Sequence, residues 1–96
     1  MATFHITQKN IGFLRLSFDE LFQYSRMLPL VCDDCNKGLL PRDEIVVIPV
    51  LNQAYCEDCA EEVLGRVKDY PEDRQIRLKR EGFWMDFYGI KEVTHA

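Results

Sequence analysis

Cys32, Cys35, Cys56 and Cys59 fall in two C-x2-C pairs separated by 20 residues, and no cysteine is left over. Two short hooks of this kind deliver four thiolates to one tetrahedral ion, the pattern of a structural zinc site. The ion would close a loop in the middle of a 96-residue chain. A chain of this length buries only roughly 60–65% of the surface it exposes when unfolded, so its core is marginal. Metal binding would therefore supply folding free energy that the core lacks.

Other uses of four cysteines fit less well. Structural disulfides belong to oxidising compartments, and residues 1–10 carry no basic start followed by an apolar block that would direct export. The expected location is the cytoplasm. A thioredoxin-like redox pair needs one C-x-x-C at a helix start in a βαβ setting, whereas this chain has two pairs and no such setting. An iron–sulfur cluster or another thiophilic metal remains open, although the even spacing favours zinc. A catalytic zinc keeps a free position and usually takes a His or carboxylate ligand. Four cysteines fill the shell. The only histidines, His5 and His95, sit near opposite ends, and neither lies in the H-x-E motif of the zinc deaminases.

The residues between and after the cysteines suggest the local fold. Residues 32–38 read as a knuckle, in which Asn36 and Gly38 tolerate left-handed backbone angles and turn N–H groups toward sulfur. Residues 44–50 are a β-branched run with Pro49 marking an edge strand or a strand end. A turn at Asn52-Gln53 leads to a short return strand at Ala54-Tyr55. Residues 57–68 have helical spacing through Ala60, Val63, Leu64 and Val67, with Glu57, Asp58, Glu61 and Glu62 toward the positive helix end. Knuckle, hairpin, then a second cysteine pair at a helix start resembles the treble-clef zinc finger over residues 32–68. The resemblance implies one structural Zn²⁺ held by Cys32, Cys35, Cys56 and Cys59, and leaves the function open.

The flanks read as parts of the same domain. Residues 3–7 and 13–16 alternate loosely, which predicts a hairpin turning near Lys9-Asn10. Ser17-Phe-Asp-Glu20 is a capping box, so a helix should run to about Met27 and present Phe18, Leu21 and Phe22 to the core. Pro71 opens a C-terminal helix that passes Arg80, with a break or kink at Gly82. Ile76, Phe83, Phe87 and Ile90 form a rough stripe along it. Phe83, Trp84, Phe87 and Tyr88 are a dense aromatic group; most should be core, and Trp84 and Tyr88 are candidates for partner contact. The expected fold class is α+β: one zinc-stabilised domain over 1–96, with an N-terminal hairpin and helix (1–31), the finger (32–68) and C-terminal helices (69–96).

Charge narrows the function classes. The chain has 12 basic and 16 acidic residues, a net −4. Residues 33–62 hold eight acids (Asp33, Asp34, Asp43, Glu44, Glu57, Asp58, Glu61 and Glu62) and two bases, a net −6. Residues 66–80 hold six bases and three acids, a net +3. The acids read either as a solvated face or as a surface that steers a basic protein partner. The basic segment from Arg66 to Arg80 is the one candidate for phosphate contact, and its acids dilute it. Direct nucleic-acid binding is therefore the weaker reading. The longest apolar run is far below the roughly 20 residues that cross a bilayer, so no membrane role is expected. No phosphate loop, nucleophile elbow or dinucleotide-binding glycine pattern is present, so the chain is read as non-enzymatic.

A small acidic domain built around one metal also resembles the phage-encoded anti-CRISPR proteins. That resemblance rests on size, charge and the four-cysteine site. It implies an inhibitor acting in the bacterial host cytoplasm, binding a type II RNA-guided nuclease and preventing target DNA from loading. The nuclease's positively charged channel would meet the acidic face of residues 33–62.

Overall fold

The N-terminal alternation forms the expected hairpin. In a computed structural model describing residues 1–26 and 29–95, strand β1 (Thr3–Ile6) pairs antiparallel with β2 (Gly12–Ser17), Phe4 opposite Leu14. Asn10 turns the chain at φ 65°, a left-handed angle that a short amide side chain tolerates. The capping box starts helix α1 (Phe18–Ser25): Ser17 Oγ accepts from the Glu20 N–H at 3.2 Å, and Glu20 Oε1 accepts from the Ser17 N–H at 2.9 Å. Arg26, at φ 54°, caps the other end. The expected end near Met27 lies outside the described residues. Leu21 is buried and Phe18 half-buried, but Phe22 is exposed rather than core.

The β-branched run forms β3 (Glu44–Ile48), with Ile45 to Ile48 all buried. Pro49 ends the strand, and the chain turns through Asn52 at φ 55° into β4 (Gln53–Cys56) and helix α2 (Glu57–Arg66). β3 is no edge strand. It pairs antiparallel with β4 on one side and with β2 on the other, Leu14 opposite Val47 and Leu16 opposite Ile45. The finger's hairpin and the N-terminal hairpin thus share one sheet, in the order β4-β3-β2-β1-β5. The last strand, β5 (Val93–His95), lies parallel to β1, in a stretch where the sequence suggested no strand.

A 3-10 turn (Pro71–Asp73) leads into α3 (Arg74–Tyr88), which runs unbroken through Gly82 to a left-handed cap at Gly89. The face it buries is not the expected one. Arg77, Glu81 and Trp84 point inward and Tyr88 is half-buried, whereas Ile76, Phe83 and Phe87 are 49%, 54% and 45% exposed. Two buried charges select this face. Arg77 Nη1 lies 3.3 Å from both Glu81 carboxylate oxygens, and Arg77 Nε faces Asp69 Oδ1 at 3.4 Å. Glu81 Oε2 also accepts the Gly12 N–H at 3.0 Å, which ties the helix to the start of β2. A Cβ at position 12 would lie 2.5 Å from that oxygen and from the Phe4 ring, so any larger residue there must push both aside.

Among the described residues the result is α+β: a five-stranded sheet with three α-helices and a cysteine cluster at one end. Its core draws on all three sequence segments, including Phe4, Leu14, Leu39, Ile45, Val63 and Trp84. No helix among the described residues is long and apolar enough to cross a membrane.

Candidate metal centre

The first cysteine hook is a tight reverse turn. The Cys32 N–H donates to Lys37 O and the Asn36 N–H to Cys32 O, each at 2.9 Å, while Leu39 N–H reaches Leu30 O at 2.8 Å. The left-handed angle that the turn requires falls on Asn36, at φ 62°, and not on Gly38. The knuckle is pinned to β4 from outside: Asp33 N–H donates to Ala54 O at 2.9 Å, and Ala54 N–H donates to Asp33 Oδ2 at 2.7 Å. β4 then delivers Cys56 at its last position, and Cys59 follows in the first turn of α2.

These two hooks bring all four Sγ atoms within 4.8 Å of one another, with Cys35 and Cys56 sulfurs 3.9 Å apart. Four sulfurs about 2.3 Å from one tetrahedral ion would be about 3.8 Å apart, so the donor set fits a single thiophilic cation. Cys32 and Cys56 are buried, Cys59 is half-buried and Cys35 is exposed. Burial pushes the Cys32 thiol up, but N–H groups of Cys35, Cys56 and Asp34 oppose it, leaving the group at about 7. The Asp34 N–H lies 3.5 Å from Cys32 Sγ. Cys59 is pushed well above the usual thiol range, first by its hydrogen bond with Cys56 and then by burial. Bare thiolates at this spacing oppose one another's ionisation, and a divalent cation removes that conflict. The four cysteines are thus positioned to bind a metal ion, presented by a knuckle, the end of a hairpin and the start of a helix.

The acidic residues named from the sequence do not form one continuous free surface. Asp33 accepts from the Ala54 N–H, and Asp43 Oδ2 accepts from the Leu40 N–H at 2.8 Å. Glu44 lies 3.5 Å from Arg15. Arg66 bridges Asp34 at 3.8 Å and Glu62 at 3.6 Å. Glu57, Asp58 and Glu61, all exposed on α2, have no ion-pair partner among the described residues. The basic segment is dispersed as well. Arg66 ends α2, Arg74 lies 4.0 Å from Asp69, Arg77 is buried, and Arg80 donates to Val50 O at 2.6 Å.

The aromatic candidates change places. Trp84 is only 3% exposed, its indole N–H donating to Asn52 Oδ1 at 3.3 Å. The Tyr88 hydroxyl donates to Glu20 O at 2.6 Å, which fastens α3 to α1. Both are therefore packing residues in this fold, and the exposed aromatics of the helix are Phe83 and Phe87. Sequence periodicity missed this because the helix carries apolar residues on two sides, and its charged pair Arg77–Glu81 reads as solvent-facing.

Comparison of the chain with protein-family models, with curated proteins and with solved structures gave no match.

Proposed function

We propose that the chain is a non-enzymatic interaction module, clamped by one structural Zn²⁺ on Cys32, Cys35, Cys56 and Cys59, that engages a basic protein surface through α2. The single observation that carries this reading is the coupling of the cysteine cluster to that helix. Cys59 sits in the first turn, and Glu57, Asp58 and Glu61 project from the same turns without cationic partners among the described residues. Zinc is the metal favoured by four sulfur donors with no further ligand, and a filled shell supplies structure rather than chemistry. The Arg66–Arg80 segment gives little to a nucleic-acid reading, since Arg66, Arg74 and Arg77 are paired with carboxylates within the chain.

The narrower form of the proposal is inhibition of a type II RNA-guided nuclease by occupying its cationic DNA channel. Size, charge and the metal site support it, and the free acids of α2 are where such a channel would be met. The test is target cleavage by the nuclease–guide complex, preincubated with the zinc-loaded chain. Loss of cleavage near one chain per nuclease is expected, with relief by the combined Glu57→Lys, Asp58→Lys and Glu61→Lys variant. Undiminished cleavage at large excess overturns the narrower form. If the triple variant keeps its metal and still inhibits fully, the α2 surface is not the interface.

A further inference from the structure

The outward face of α3 exposes three large apolar side chains, Ile76, Phe83 and Phe87. Ile76, Phe83 and Phe87 follow one another at spacings of seven and four residues, so they share one stripe about three turns long. The stripe is preformed. Tyr24 of α1 packs edge-on against Phe83 (centroids 5.9 Å apart) and Phe87 (5.6 Å), and stacks at a tilt on the buried Trp84 (4.1 Å). Aromatic side chains held rigid and half-exposed bind with little ordering cost.

Beside the stripe lies an open groove of about 410 Å³, bounded by Tyr24, Asn52, Ile76, Lys79, Arg80, Phe83 and Trp84. Its walls hold two cations and no carboxylate, in a chain where acids outnumber bases. Arg80 is fixed by its bond to Val50 O, and Lys79 has no ion-pair partner among the described residues. From this stripe and its rim we infer that α3 docks an amphipathic helix of a partner protein, with an apolar face about three turns long flanked by acidic residues. The apolar face would lie along Ile76, Phe83 and Phe87 while the acids meet Lys79 and Arg80. Two cations are too few to track a nucleic-acid backbone, which favours a peptide. This surface is separate from α2, so it stands or falls independently of the function proposed above.

Fluorescence anisotropy with two labelled 15-residue helical peptides tests the inference. Both carry the same leucine face; one has glutamate flanks and the other lysine flanks. Saturable binding of the glutamate peptide, at least about tenfold tighter than the lysine peptide, is expected. Phe83→Ser with Phe87→Ser should weaken it about tenfold or more, and Lys79→Glu with Arg80→Glu should reverse the preference between the peptides. Near-ultraviolet circular dichroism from the buried Trp84 verifies that each variant is folded. Absence of binding by the folded wild type, or equal binding of the two peptides, overturns the inference. So does competition by an oligothymidine that itself binds with a steep salt dependence, or a dimer in sedimentation that Phe83→Ser abolishes; the former would assign the face to nucleic acid and the latter to a second copy.

Discussion

Glu81 shows how a single side chain can organise a small domain. Its carboxylate gathers Arg77 from its own helix and the Gly12 N–H from β2, and Arg77 also pairs with Asp69, which lies near Arg74 as well. Replacing one member of a buried pair strands the other, so Glu81→Ala should destabilise the chain by about 3–5 kcal/mol in urea unfolding. Gly12→Ala should cost about 1–3 kcal/mol, because its Cβ must displace both the Glu81 carboxylate and the Phe4 ring. Burial raises the Glu81 carboxyl above the usual carboxylate range, with Arg77 and the Gly12 N–H opposing. The folded state therefore holds this proton more firmly than the unfolded state. Its stabilising contribution is present below the ordinary carboxylate value and is lost as pH rises through the raised one. Unfolding free energies of wild type and Glu81→Gln, measured across that range, should differ with a slope: the wild type loses relative stability as pH increases. Parallel profiles would contradict the burial argument. None of this was legible in the sequence. Arg and Glu four residues apart on a helix ordinarily form a solvent-facing pair, and only the approach of Gly12 and Asp69 places them inside.

At the scale of elements, local chemistry was legible wherever it is self-contained. The Ser17–Glu20 box, the turn at Asn10, the β-branched strand and the helix after Cys56 all follow from short-range preferences, and the structure carries them with small shifts of boundary. Ser17→Ala should cost about 1 kcal/mol, read as a lower urea midpoint with unchanged slope. What local preference cannot supply is the choice between competing faces. α3 has apolar residues along 76, 83 and 87 and again along 84 and 88. The decision comes from what packs against them: Tyr24 and Asn52 receive Trp84, and the Glu20 carbonyl receives the Tyr88 hydroxyl. The acids of the finger illustrate the same point. Asp33 reads as surface charge, yet it accepts the Ala54 N–H and sets the first hook against the strand that delivers the second. Asp33→Ala should leave the metal stoichiometry unchanged but lower affinity about tenfold in competition with a chromophoric chelator. An unaltered affinity would return Asp33 to the role of solvated charge.

For the molecule as a whole, the sequence marks out the segments, while the sheet that joins them was not visible in it. Pairing of β2 with β3 crosses from the N-terminal hairpin into the finger, and β5 returns from the far end to lie beside β1. Such long-range pairings leave no periodic trace in the chain. They make the cysteine cluster part of the same sheet end as the core strands, so a metal there would hold the β3–β4 hairpin, the knuckle and α2 together at once. Loss of the metal should therefore reach Trp84 and Tyr24, which line one cavity with Asp33 and Ala54. The most direct test is the near-ultraviolet circular dichroism of that aromatic pair in the reduced chain, after complete removal of metal by a strong chelator. A metal-clamped fold predicts that the signal collapses and returns on addition of one equivalent of Zn²⁺. A full aromatic signal in a chain verified to be metal-free would contradict it.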